Sequence, residues 1–388
     1  MITKQIPYGH QKITAEDIQA VVDVLQSDFL TQGPRIKEFE NVFAQYVGAK
    51  YAVAVNNATA GLHLASVALC IKPGDKVIVT PLTFAASANC VCYCGGDVIF
   101  CDIDKDSYLI DINKLHKILR SSPVGTYKGI VPVDFAGYPV NLEKLRQLAD
   151  EYGLWILEDA CHAPGGYFID SGENEQRCGN GRLADISVFS FHPVKHITTG
   201  EGGMITTNNK QLYDKLCLYR THGISKDPLL MKENHGGWYN EMIGLGFNYR
   251  LTDFQAALGI SQLRRADSGL IRRRQIAAKY NQAFTGIAGL KIPFVEEKYY
   301  HAYHLYVIQV KDRYGLYDFL RKQNILVQVH YVPLHLMPYY QKRGNKKGDL
   351  PIVEAYYQHC LSLPIFPSLT EEEQDYIIEK VIYFCSTR

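Results

Sequence analysis

Short apolar runs alternate with amphipathic segments through the first two thirds of the chain. Residues 51–55, 76–80, 98–102, 130–135, 155–158, 186–191 and 203–207 have the length and the Val/Ile content of buried strands. Helical spacing predicts helices over 62–69, 85–95, 112–120, 142–152 and 209–219 between them, and over 14–26 and 34–47 ahead of them. Thr14 serves as an N-cap for the first of these, with Asp17 in the turn that the helix dipole favours for an acid. Alternation of strand and helix predicts an α/β fold built on a doubly wound, mostly parallel sheet. Thr252 or Asp253 caps a long predicted helix, 254–284, that leaves the sheet. The pattern then changes: strand-like 302–310, helix 314–323, strand-like 327–331, and helices 351–359 and 370–386 predict a smaller α+β unit. The organisation expected is an N-terminal arm and large domain over 1–253, a connecting helix over 254–285, and a small C-terminal domain over 286–388.

Composition narrows the function. The 388 residues carry a formal net charge of +1, without the basic excess of a nucleic-acid protein. No apolar run approaches the ~20 residues of a membrane span, and the opening residues lack the apolar core of a secretion signal. Ten scattered cysteines then read as reduced thiols of a cytoplasmic protein. Cys90, Cys92 and Cys94 do not share a helix face, so no metal cluster is expected there. In a strand His301 and His304 would point to opposite sides, which argues against a metal pair. The polar, glycine-rich stretch 170–183 reads as a surface loop with Cys178 as an exposed thiol.

Candidate chemistry sits where predicted strands end. Pro193 closes the run 186–191, and Lys195 follows in a Thr- and Gly-rich turn. Burial beside apolar strands would depress its pKa and leave a nucleophilic amine; a solvated loop lysine reads about as well from this stretch alone. Asn57-Ala58-Thr59-Ala60-Gly61 is a turn of small residues opening a helix, where backbone N–H groups can meet a phosphate, although a plain strand-to-helix turn is commoner. Phe84 follows the strand 76–80 and could stack on a flat ring or fill core. Asp159 follows 155–158, where a buried carboxylate wants a cation or a donor or simply caps a helix. His162 could line the same crevice. Tyr8 from the arm and His330 and Tyr331 from the small domain could line a substrate cleft, or pack as ordinary core.

Six stretches in order carry a resemblance: Asn57-Ala58-Thr59-Ala60, Pro81-Leu82-Thr83-Phe84, Glu158-Asp159-Ala160-Cys161-His162-Ala163, Ser190-Phe191-His192-Pro193-Val194-Lys195, Gly200-Glu201-Gly202-Gly203, and Gly246 to Asp253. Together they resemble the DegT/DnrJ/StrS family of sugar-nucleotide aminotransferases along essentially the whole chain. The resemblance implies the fold type I (aspartate aminotransferase-like) architecture, a pyridoxal 5'-phosphate (PLP) cofactor and a homodimer with a shared active site. By the same resemblance Lys195 is the Schiff-base lysine, Asp159 the partner of the pyridine nitrogen and Phe84 the stacking aromatic. His162 packs on the ring's other side, where other members often have Gln. Ala58, Thr59 and Ser190 contact the phosphate, and Asn248 reaches the phosphate of the neighbouring subunit's cofactor. The implied substrates are a nucleotide-linked keto sugar and L-glutamate, which leaves as 2-oxoglutarate. A branch with histidine in place of the lysine performs dehydration; Lys195 favours transamination, although His196 stands where related members often read Pro. The base and the sugar stay open between UDP-, GDP- and dTDP-linked substrates. A PLP-binding regulator without turnover is a rival reading. A PLP-independent α/β enzyme is disfavoured by the lack of G-x-G-x-x-G and G-x-S-x-G elements.

Overall fold

A computed structural model describes residues 4–387; the opening residues read for a secretion signal lie partly outside the described residues. The centre is a seven-stranded sheet of β1 (Tyr51–Val55), β2 (Lys76–Val79), β3 (Asp97–Phe100), β4 (Tyr127–Val131), β5 (Trp155–Asp159), β6 (Ile186–Ser190) and β7 (Gly203–Thr207), in spatial order β1-β7-β6-β5-β4-β2-β3. The run from β6 to β3 is parallel, and β7 lies antiparallel between β6 and β1. Every residue of β6 and β7 is buried, which explains why these strands read as continuous apolar runs rather than alternating ones.

Helices α1 (Ala15–Leu25), α2 (Pro34–Val47), α3 (Ala58–Ala68), α4 (Ala86–Tyr93), α5 (Ile112–Arg120), α6 (Leu142–Tyr152) and α7 (Lys210–Arg220) accompany the sheet. Thr14 does cap α1: its hydroxyl accepts the Asp17 N–H, and the Asp17 carboxylate accepts the Thr14 N–H at 2.9 Å. The buried Asp17 also takes bonds from Ser261 and Gln262 at 2.7 and 2.8 Å and pairs with Arg265, so the capping residue ties α1 to the helices that follow the sheet.

The long helix expected over 254–284 is two helices, α8 (Asp253–Leu263) and α9 (Ala266–Phe284). Arg265 leaves helical geometry at the break (φ −118°, ψ 13°), and its guanidinium is held by Asp17 and the Lys12 carbonyl. Apolar periodicity runs through a break of this length, so the spacing could not reveal it.

In the C-terminal part an antiparallel sheet forms from β8 (Leu290–Lys291), β9 (Tyr306–Val310) and β10 (Cys360–Leu363), with α10 (Arg313–Lys322), α11 (Pro351–His359) and α12 (Glu371–Ser386). Its core joins Tyr280 and Phe284 of α9 to Tyr306, Leu361, Ile377 and the arm residue Ile6. Ile6–Pro7 pairs in parallel with Ile325–Leu326. Regular pairing is confined there, so 327–331 is not the expected strand, and the chain turns to aim His330 and Tyr331 inward. Residues 302–305 are not strand either. Tyr303 has φ +50°, and the Ala302 and Leu305 N–H groups bond the Gly137 and Ala136 carbonyls at 2.7 and 3.1 Å. The stretch 170–183 is more ordered than a surface loop: Tyr167–Ile169 and Glu175–Arg177 form a hairpin that Tyr299–Tyr300 extends. Cys178 is 3% exposed rather than a surface thiol. Among the described residues no helix is long and apolar enough to cross a membrane.

Candidate active site

The carboxyl ends of β1, β5 and β6 open onto one cavity of about 570 Å³, where open α/β sheets take ligands. It brings together Tyr8, Ala58, Thr59, Phe84, Asp159, His162, Ser190, Lys195, His330 and Tyr331, which is all but one of the residues singled out above. Asn248 is the exception: it is exposed, outside this wall, and bridged to Thr221.

The anion end is built by α3. Asn57 caps the helix by accepting the Ala60 N–H at 2.8 Å, and its carbonyl takes the Gly61 N–H. The N–H groups of Ala58 and Thr59 have no intrahelical acceptor, as the first turn dictates. Gly203 makes the corner possible, because a Cβ there would lie 2.8 Å from the Ala58 nitrogen.

At the other end Asp159 is buried. Its oxygens accept from the Ser87 hydroxyl at 2.5 Å and the Cys161 N–H at 3.2 Å. Ser87 in turn lies 2.6 Å from the Thr83 hydroxyl. Since Ser87 gives its proton to Asp159, Thr83 donates to Ser87. Two neutral donors orient the carboxylate and leave its charge unmatched by a bonded cation, which is a site built for a cationic partner. Ser87 was missed in the sequence; a lone serine on a helix carries no signal of its own.

Lys195 follows the turn closed by its own N–H to the His192 carbonyl at 2.9 Å. The residue is half-buried and lines the cavity. Desolvation pushes its pKa down to about 8; Arg273 adds to the effect, while Cys161 and Asp159 oppose it. The Lys195 Nζ lies 3.3 Å from His304 Nε2, so His304, considered above only as half of a disfavoured metal pair, belongs to the site. His301 instead stacks on Tyr138 and Tyr303.

His162 Nδ1 accepts the Ala136 N–H at 3.2 Å, which places the ring proton on Nε2, 3.3 Å from the Tyr331 hydroxyl. Burial and the nearby Lys195 hold His162 neutral. Phe84 is 62% exposed, so it is no core residue; its ring sits 6.5 Å from that of Tyr331. Tyr8 packs on His330 at 5.1 Å.

Behind Asp159, Asp134 and Glu158 are both fully buried. Asp134 Oδ2 and Glu158 Oε1 have no hydrogen-bond partner, and the two carboxyl groups lie within 4.8 Å of one another and of Cys178 Sγ, so a proton shared between them would satisfy both. Desolvation raises both pKa values, most for Asp134. A carboxyl group whose pKa is raised by folding stabilises fully below its unfolded value of about 4 and loses that contribution as pH rises. Asp134→Asn supplies a permanent N–H donor to Glu158. Its melting temperature should therefore fall less than the wild type's as pH rises above about 4; an equal or steeper decline in the variant counts against proton sharing.

The donor set fits PLP: unpaired helix N–H groups and Ser190 for a phosphate, an unmatched carboxylate for a protonated ring nitrogen, and a desolvated amine between them. The whole chain is similar to known proteins. A Bacillus subtilis spore coat polysaccharide biosynthesis protein, SpsC, is 40% identical over 384 residues, covering 97% of this chain and 96% of its own. The UDP-4-amino-4,6-dideoxy-N-acetyl-beta-L-altrosamine transaminase of Campylobacter jejuni is 37% identical over 382 residues, covering 96% and 95%. A Streptococcus pneumoniae protein solved in its PLP-form superposes with a TM-score of 0.89 at 29% identity over 99% of both chains. With the family profile matching residues 11–382 as well, the chain belongs to the DegT/DnrJ/EryC1/StrS aminotransferase family.

Proposed function

We propose that the protein is a PLP-dependent aminotransferase that moves the amino group of L-glutamate to C4 of a UDP-linked 4-keto-6-deoxy-N-acetylhexosamine. The product is UDP-4-amino-4,6-dideoxy-N-acetyl-β-L-altrosamine. The observation that carries the transaminase reading is the facing of the desolvated Lys195 amine and the buried Asp159 carboxylate across one cavity.

When bound, the cofactor supplies an electron sink for the pair released when a C–H bond breaks. Ala58, Thr59 and Ser190 would hold its phosphate, Asp159 would keep its ring nitrogen protonated, and Phe84 and His162 would supply contacts to its ring. The neutral amine of Lys195 would take the proton from the donor's α-carbon and pass it to the cofactor's C4′, and in the second half-reaction would move a proton from that carbon to C4 of the sugar, general base then general acid each time. Oxoglutarate leaves before the keto sugar enters, so the kinetics are ping-pong. Tyr8, His330 and Tyr331 line the sugar side.

The working form is a cytoplasmic homodimer. Trp238 and Leu245, 77% and 79% exposed, stand with Leu229 and Met242 in a loop region whose apolar surface suits a second copy. Asn248 follows that region and would serve the neighbour's phosphate. The ten cysteines are all free, in keeping with a reducing compartment.

The relation to the Campylobacter transaminase supports the altrosamine product. The comparable relation to SpsC favours a second reading, transfer to a different nucleotide-linked keto sugar. A panel of UDP-, GDP- and dTDP-4-keto sugars with glutamate, resolved by mass and NMR, decides between them. The UDP-4-keto-6-deoxy-N-acetylhexosamine should turn over with a kcat/KM at least about tenfold above the others, a margin of ~1.4 kcal/mol. A dTDP or GDP sugar in first place replaces the substrate assignment, and no transfer to any sugar rejects the activity.

A further inference from the structure

The amine of Lys195 meets one side chain at hydrogen-bonding distance, His304, through Nε2 at 3.3 Å. His304 is 4% exposed, and its ring lies 4.3 Å from that of His162. Its other nitrogen, Nδ1, is buried without a partner. An ammonium donates only, so when Lys195 is charged Nε2 must accept, and the imidazole proton sits on the unpaired Nδ1. A neutral amine still carries two N–H groups, so the same contact persists after Lys195 loses a proton. Burial keeps the imidazole neutral, and the charge of Lys195 adds to this while it lasts.

Beneath this pair lies Arg273 of α9, 1% exposed. Its Nη1 bonds three carbonyls, those of Tyr303 at 3.1 Å, His304 at 3.4 Å and Ile365 at 2.9 Å, rather than an acid. A desolvated guanidinium without a carboxylate is costly to bury. Here it fixes the left-handed bend at Tyr303 that turns His304 toward the lysine.

We propose that His304 is a positioning residue for Lys195: by accepting one N–H in both protonation states it holds the amine with its lone pair free toward the reacting carbon, and Arg273 locks His304 by its backbone. The proposal rests on the acid–base role given to Lys195 above.

Two readouts test it with His304→Leu, and with His304→Gln as the control, since the glutamine amide oxygen can stand near the place of Nε2. The first is the single-turnover rate of each half-reaction. Lys195 serves both, so His304→Leu should slow both by a similar factor, about 10- to 100-fold, with KM values within about twofold and cofactor content unchanged. The second is competitive acetylation of Lys195 in cofactor-free protein, followed by mass spectrometry across pH. The amine faces Asp159, Cys161, His162, His196, His330 and Arg273 in every variant, so a change reports on residue 304. Losing an acceptor for the ammonium should lower the labelling midpoint from near 8 by about half a unit or more, and His304→Gln should restore both readouts in part. Either readout unchanged in His304→Leu overturns the proposal, as does slowing of one half-reaction alone, which would make His304 a substrate contact. Absence of transfer in the wild type would instead reject the aminotransferase reading, while the acetylation profile would still judge the His304–Lys195 pair.

Discussion

Lys195→Ala should lower amine transfer by about 10³-fold or more in each half-reaction, because one side chain provides both the covalent anchor and the proton transfers. The reason lies in its surroundings. A lysine in water holds its proton at neutral pH, whereas this amine is stripped of water and stands before Arg273, which brings its pKa to about 8. At that value it can lose and regain a proton near physiological pH. Lys195→Arg should be equally inactive, since a guanidinium does not deprotonate. Lys195→Ala should not lower the melting temperature by more than a few degrees. The native amine makes one neutral contact, with His304, and removing a desolvated cation relieves a cost. Wild-type rates in Lys195→Ala would remove the residue from the chemistry. Loss of activity accompanied by unfolding would instead make its role structural. The same variant probes the dimer. Mixed with Asn248→Ala protomers, it forms heterodimers in which one site carries both lesions and the other neither, so activity should return. Verified heterodimers that stay inactive would count against an Asn248 that serves its neighbour.

What the sequence shows of this site, and what it hides, follows from how far each signal reaches along the chain. The strand ends were legible because buried parallel strands are short apolar runs, and the residue after each run lands on the same edge of the sheet. That places Ala58, Phe84, Asp159, Ser190 and Lys195 together without any long-range information. The mostly parallel sheet came from the same alternation, whereas the fold type I architecture came from the resemblance carried by the six motifs. His304 was hidden for the opposite reason. Reading 302–310 as a strand assigns it a face by period two, but the bend at Tyr303 breaks that period, and the bend is held by Arg273, some thirty positions earlier. The break between α8 and α9 depends likewise on Asp17, 248 positions from Arg265. Ser87 is significant only because Asp159, 72 positions further along, lies within hydrogen-bonding distance of it. The buried Cys178 was read as exposed because its polar neighbours belong to a hairpin whose inner side is covered.

Asp159→Asn isolates charge from shape, and it should reduce transfer by on the order of 10²-fold or more, the scale of losing one preorganised electrostatic contact at a reacting group. Asparagine fills the same space and can still accept one of the two bonds that hold Asp159, from Ser87 or from Cys161. What disappears is the negative charge that would keep a ring nitrogen protonated. In water that charge would be worth little, but the residue is buried and bonded only to neutral donors, so its field is unscreened and directed into the cavity. Ser87→Ala is the matching control. It deletes one of the two orienting bonds and leaves the charge, so the loss should stay below about tenfold, in line with ~1 kcal/mol for a hydrogen bond. The two variants separate the explanations. If Asp159 merely braced the wall of the cavity, Asp159→Asn would be as mild as Ser87→Ala, and both would show as changes in stability. If its charge drives the chemistry, Asp159→Asn should be slow at saturating substrate with an unchanged melting temperature. Near-normal turnover in Asp159→Asn would leave the cavity without the carboxylate that its two orienting donors are arranged to present.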